Sequence, residues 1–124
     1  MGSKIRVAII GLDTSHSVEF TRSMNDPQCP DNRRTTGLTA VSCLRFSTPF
    51  QSEDGLDQRQ KLLESWGVPV TANFDEAVAD CDAIMLEINA VSSLMVWNTV
   101  RWAKGLQILH HAKLQLDIDK SVRA

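Results

Sequence analysis

The chain has 124 residues, 43% hydrophobic and 23% charged, with a formal net charge of −2. That length predicts one domain over residues 1–124 with a single core, and the composition excludes a disordered, collagen-like or coiled-coil protein. The acidic balance gives no overall reason to expect nucleic acid, and no apolar run approaches the ~18 residues of a bilayer crossing, so neither is expected as a partner.

Ile5, Val7, Ala8, Ile9 and Ile10 form a short β-branched run that ends at Gly11, the pattern of a buried parallel strand over Lys4–Ile10. Asp13, Thr14 and Ser15 are N-cap residue types. They precede a predicted helix from Ser15 to Asn25 with Val18, Thr21 and Met24 at helical spacing, stopped by Asp26-Pro27 and Cys29-Pro30. Asp26 to Thr36 is polar and turn-rich, a surface loop in which Arg33-Arg34 reads as a solvated patch. Leu38 to Phe46 is the second predicted strand. Ser47 to Asp54 is a loop broken by Pro49. Leu56 to Trp66 is a predicted helix, with Leu56, Leu63 and Trp66 on one side and Gly67 just past its end.

Val68 to Thr71 reads as a third strand. Asp75 is expected to cap a short helix carrying Ala77, Val78 and Cys81. Ala83 to Ile88 is a fourth strand, Ser92 to Lys104 a helix ending at Gly105, and Leu114 to Ile118 a fifth strand. Residues 106–113 fit either a helix extension or a separate strand. Strands and helices alternate throughout. The expected fold is therefore α/β, three layers around a parallel sheet in the order 3-2-1-4-5, with right-handed crossovers. Ligands of such a sheet lie at the switch point, beside the carboxyl ends of strands 1 and 4.

Cys29, Cys43 and Cys81 form no C-x-x-C pair and no zinc-type spacing with histidine, so no metal site is expected. Cys43 and Cys81 read as small core residues. No signal-peptide pattern opens the chain. Arg6 stands where a myristoylation start needs Ser or Thr. The cytoplasm is the expected compartment.

The junction Gly11-Leu12-Asp13-Thr14-Ser15-His16 falls where a dinucleotide fold carries G-x-G-x-x-G, and it keeps the first glycine alone. One reading has its backbone N–H groups and the His16 imidazole touch a phosphate, a ribose or another small ligand. The other has Asp13 or Thr14 cap the helix, with His16 on its first turn. No acid lies between Leu44 and Thr48 to hold a ribose. Arg45 there suits a 2′-phosphate, hence NADP, or is an exposed arginine at a strand end. Glu87 and Asn89 close the fourth strand beside the same crevice, although Asn89 also suits the start of a turn. His110 and His111 are adjacent and read as non-ligands.

The helix at 92–104 carries more apolar surface than one stripe needs. Val96, Val100 and Ala103 share a face, while Trp97 and Trp102 lie roughly 140° apart. The surplus predicts a homodimer through this helix and the fifth-strand edge. The alternative is a C-terminal segment folded back over one tryptophan.

The stretch from Lys4 to Phe20, with its Gly-Leu-Asp-Thr-Ser-His turn, resembles a branch of the glucose–fructose oxidoreductase and inositol dehydrogenase family. The resemblance continues through Trp66–Val70, Phe74–Val78 and Cys81–Glu87. It returns at Asp119-Lys120, with Ser121 in place of the family's proline. It implies a Rossmann-type domain that binds NAD or NADP through Gly11–His16. It also matches Lys120 to a lysine that helps position substrate and nicotinamide. Family members continue into a larger domain that supplies most substrate contacts and the catalytic His or Asp. Here the chain stops at Ala124, so a single truncated domain without that half is expected, and whether it is an enzyme stays open. Three functions follow as expectations. One is a stand-alone NAD(P)- or small-ligand-binding domain. Another is a ligand-free dimeric interaction scaffold. The last is a subunit of an NAD(P)-dependent oxidoreductase completed by a partner chain.

Overall fold

The computed structural model describes residues 4–88 and the backbone of residues 107–110. The apolar run at Ile5–Ile10 forms β1, the strand to which the rest is added. β2 (Leu38–Leu44) pairs with it in parallel on one side and β4 (Ala83–Leu86) on the other, while β3 (Val70–Thr71) pairs with β2. The parallel sheet therefore runs β3-β2-β1-β4. Beside β4, the backbone of Gln107–His110 (β5) runs parallel, with Ala83 opposite Gln107. The strand expected at Leu114–Ile118 and the helix expected at Ser92–Lys104 lie outside the described residues.

Helix α1 (Ser15–Asn25) and helix α2 (Glu53–Ser65) cover one face of this sheet, and α3 (Phe74–Val78) covers the other. Strand alternation assigns the faces. Val7, Ile9 and Cys43 pack with Val18, Met24, Leu56 and Leu63, while Ala8, Ile10, Leu44, Ile84 and Leu86 pack with Ala77 and Val78. A strand covered on both faces reads as an unbroken apolar run, which is why β1 shows no polar alternation. Burying each large side chain contributes about 1.5–3 kcal/mol relative to exposure. The β1–β2 register slips by one residue at Val41, between the pairs Val7–Ala40 and Ala8–Ser42.

Several element boundaries differ from expectation, for local reasons. Helix α2 starts at Glu53 rather than Leu56, because the Ser52 hydroxyl accepts the Gly55 N–H at 3.0 Å. Glu53 and Asp54 then fill a first turn whose dipole favours acids. The helix closes at Ser65 rather than Trp66, on paired bonds from Gly67 N–H to Glu64 O and from Val68 N–H to Leu63 O, both 3.0 Å. Gly67 sits there at φ +80°, the left-handed residue such an ending requires. Asn73, not Asp75, caps α3: its side-chain oxygen accepts from Glu76 N–H at 3.0 Å. Strands β2, β3 and β4 are each shorter than their apolar runs. Hydrophobicity reports burial, and burial extends beyond the ladder, as at Ile88.

Two single-residue expectations are also corrected. Arg34 is not part of a solvated patch. It is half-buried, and its guanidinium donates to the carbonyls of Asp26 (3.0 Å), Pro27 (3.1 Å) and Cys29 (2.9 Å). Cys81 is half-buried rather than a full core residue, whereas Cys43 is fully buried and its thiol is pushed up to about 12 by desolvation. Among the described residues no three His, Cys, Asp or Glu side chains group as a metal site, and no helix is long and apolar enough to cross a membrane.

Candidate functional site

Parallel pairing sets the tips of β1 and β4 side by side. Ile10 stands opposite Leu86, and Glu87 N–H donates to Ile10 O at 2.9 Å. The chain must then turn away within one residue, and Gly11 does so at φ +105°. A Cβ on Gly11 would lie 2.4 Å from Glu87 O and 2.6 Å from Ile88 Cγ2. Both the left-handed backbone and the close approach therefore demand glycine. Its own N–H donates to Leu44 O at 3.0 Å, and its carbonyl accepts from the buried Ser17 hydroxyl at 2.8 Å. The turn is thus fixed against β2, the tip of β4 and α1. It borders the crevice between β1 and β4, where open parallel sheets receive ligands.

Helix α1 begins at this crevice with Thr14 as N-cap, yet Thr14 makes no side-chain capping bond. Its hydroxyl is buried and has no hydrogen-bond partner among the described residues. An unsatisfied buried hydroxyl costs about 1–3 kcal/mol. No acidic residue occupies the first turn of α1, so the positive end of its dipole has no acid from the helix itself. Leu12 is buried, and its carbonyl accepts from Arg59 Nη1 at 2.9 Å. Asp13 is buried too, and its carboxylate accepts from the Thr48 hydroxyl at 3.1 Å. Ser15 and His16 are exposed on the first turn, with the imidazole stacked on Phe20 at 5.9 Å between ring centroids. Glu87 is buried at the tip of β4, and that burial pushes its carboxyl up to about 7.

The structure thus gathers Gly11, Leu12, Asp13, Thr14, Ser15 and His16 with Glu87 around one crevice. Asn89 and Lys120 lie outside the described residues. Arg45 follows β2 as expected, but it is neither exposed nor open to a phosphate. Nη2 lies 2.7 Å from Glu53 Oε2, and Nη1 lies 2.7 Å from Asp57 Oδ1 and 2.8 Å from Gln60 Oε1. Bonds from Ser47 and then Arg45 hold the Glu53 carboxyl below its usual range.

Sequence reasoning missed four participants: Thr48, Glu53, Asp57 and Arg59. Its search for an acid stopped at Thr48, whereas α2 brings two back to the end of β2. A signal for them existed. Glu53 and Asp57 stand four apart and share a helix face, and Arg59 follows the inward Leu56 by three.

A dinucleotide fits this frame by backbone and not by side chain. The glycine turn and a helix N-terminus without a side-chain cap suit a phosphate. Asp13, however, places a buried carboxyl group where the second fingerprint glycine would admit pyrophosphate, and Arg45 is already held by two carboxylates. No protein-family model matches the chain, and no curated protein matches it significantly.

Proposed function

We propose that this chain is a Rossmann-like domain binding a small polar ligand at the β1–β4 crevice, with NAD and NADP the first candidates. The observation that carries this reading is the buried Thr14 hydroxyl at the N-terminus of α1, which has no hydrogen-bond partner among the described residues. It stands beside a glycine turn pressed against the tip of β4. A ligand acceptor such as a phosphate or hydroxyl oxygen satisfies that group. The parallel order β3-β2-β1-β4 is compatible with the reading. The complete order 3-2-1-4-5, with β5 at its edge, belongs to the same proposal, as does kinship with the glucose–fructose oxidoreductase family through Lys4–Phe20.

A second reading has its own support. The carboxyl groups of Asp13 and Glu87 are both buried at this crevice, and they disfavour pyrophosphate while accepting hydrogen bonds from hydroxyl or amine donors. That reading replaces the dinucleotide with a smaller, donor-rich ligand in the same place.

Thermal unfolding with NAD, NADH, NADP and NADPH tests the first reading. A ligand at a hundred times its Kd adds ~2.7 kcal/mol to stability. Thr14→Val and His16→Ala are expected to weaken that response. Binding unchanged in both variants displaces the site. No response to any of the four removes the dinucleotide and raises the ligand-free dimeric scaffold. Turnover that requires a separately supplied chain identifies the partner-completed oxidoreductase instead.

A further inference from the structure

A second cleft lies along α1, beyond the His16–Phe20 stack that borders the crevice. Its volume is about 370 Å³, within the range of small-molecule sites. One wall is α1, through Glu19, Phe20 and Arg22. The other is the loop after it, through Cys29, Pro30 and Arg33.

This loop is held in place. Arg34 gathers three of its carbonyls, at Asp26, Pro27 and Cys29. Thr35 N–H donates to Ser23 O at 2.9 Å, and the Ser23 and Thr35 hydroxyls meet at 3.1 Å. The Ser23 hydroxyl donates in turn to Phe20 O at 2.8 Å. These bonds tie the loop to α1 along one edge and set the width of the cleft before anything enters it. A preformed site loses little to ordering on binding.

The chemistry of the walls is mixed in a particular way. Phe20, Pro30 and Cys29 give an apolar floor and side. Arg22 and Arg33 bring two positive charges, and Glu19 brings one negative. Glu19 lies 3.5 Å from Arg22, so that pair largely cancels. Arg22 also lies over the Trp66 ring at 5.4 Å, which anchors it. Arg33 is exposed at the rim and forms no ion pair within the described residues. The net balance is one positive charge above an apolar hollow.

We infer that this cleft binds a small organic anion, one aromatic or aliphatic body carrying a single sulfonate or carboxylate. The body fills the space against Phe20 and Pro30, and the acid group meets Arg33 at the rim. An apolar pocket with a few placed polar groups is the usual form of such sites, and guanidinium is the side chain best shaped for an oxyanion.

The test uses two fluorescent probes of nearly equal body. 8-Anilinonaphthalene-1-sulfonate carries the charge, and N-phenyl-1-naphthylamine lacks it. The sulfonate is expected to bind the native protein saturably and the neutral probe about tenfold more weakly. Arg33→Glu is expected to weaken the sulfonate about tenfold and leave the neutral probe unchanged. Glu19→Gln removes the competing carboxylate from Arg22 and is expected to tighten the sulfonate. Both positions are exposed, so neither variant threatens the fold. Equal binding of the two probes, no saturable binding, or indifference to Arg33→Glu overturns the inference. Thr14→Val is expected to leave both probes unaffected, so this result stands or falls apart from the crevice.

Discussion

Gly11 and Glu87 touch across the two strand tips, and each carries a separate consequence. At Gly11 an added methyl group meets the Glu87 backbone as well as the Ile88 side chain, and the φ of +105° is strained for any L-residue. Gly11→Ala is expected to destabilise by about 2–4 kcal/mol, the sum of overpacking and backbone strain; urea unfolding measures it. Glu87 titrates near 7 in the folded chain and near 4.5 when unfolded. Below pH 4.5 it is protonated in both states and its burial is fully tolerated. Between 4.5 and 7 the unfolded chain releases this proton first, so stability falls as pH rises and levels off above 7. The loss is on the order of 3 kcal/mol. Denaturation midpoints across that window should decline for the native protein, and Glu87→Gln should flatten this part of the profile. The type of residue at this tip was legible in the sequence. Its altered acidity was not, since burial depends on what the fold stacks over it.

At the scale of elements, α2 and the loop after α1 are positioned by arginines whose partners are distant or irregular. Arg45 joins the end of β2 to the first turns of α2 through Glu53 and Asp57. Those acids are exposed, so solvent screening keeps the clamp modest. Arg45→Ala is expected to destabilise by about 1 kcal/mol, with the difference shrinking in high salt. Arg34 is different, because it satisfies three carbonyls of an otherwise irregular segment. Arg34→Ala is expected to cost about 1–3 kcal/mol and to speed proteolysis between residues 26 and 36, read by limited digestion with the broadly specific proteinase K. Apolar periodicity made the strands and α1 readable, since β-branched runs and the helical spacing of Val18, Thr21 and Met24 act locally, although the Thr14 side chain makes no capping bond. The starts of α2 and α3 were misread because Asp75 looked as good a cap as Asn73, and Ser52 lay within an apparent loop. The Arg34 contacts were unreadable in principle, because a backbone carbonyl acceptor carries no sequence signature, whereas the acids that hold Arg45 were spaced for one helix face.

At the scale of the whole molecule, the central arrangement was legible. Alternating strand and helix patterns predicted the parallel order β3-β2-β1-β4, with the glycine turn beside the tip of β4. The crossover rule leaves few other ways to connect such elements. What the sequence could not supply was charge placement: Asp13 lies buried beside Thr48, and Arg45 is neutralised from α2. Self-association through residues 92–104 remains a proposal from sequence. It predicts a dimer at micromolar concentration in sedimentation velocity, and a clean monomer contradicts it. The central claim concerns the crevice, and amide chemical-shift mapping during titration with NAD and then NADP tests it most directly. Saturable shifts are expected to centre on residues 11–16 and Glu87 and to be lost in Thr14→Val. Shifts confined to other surfaces, or none with either dinucleotide, would contradict it.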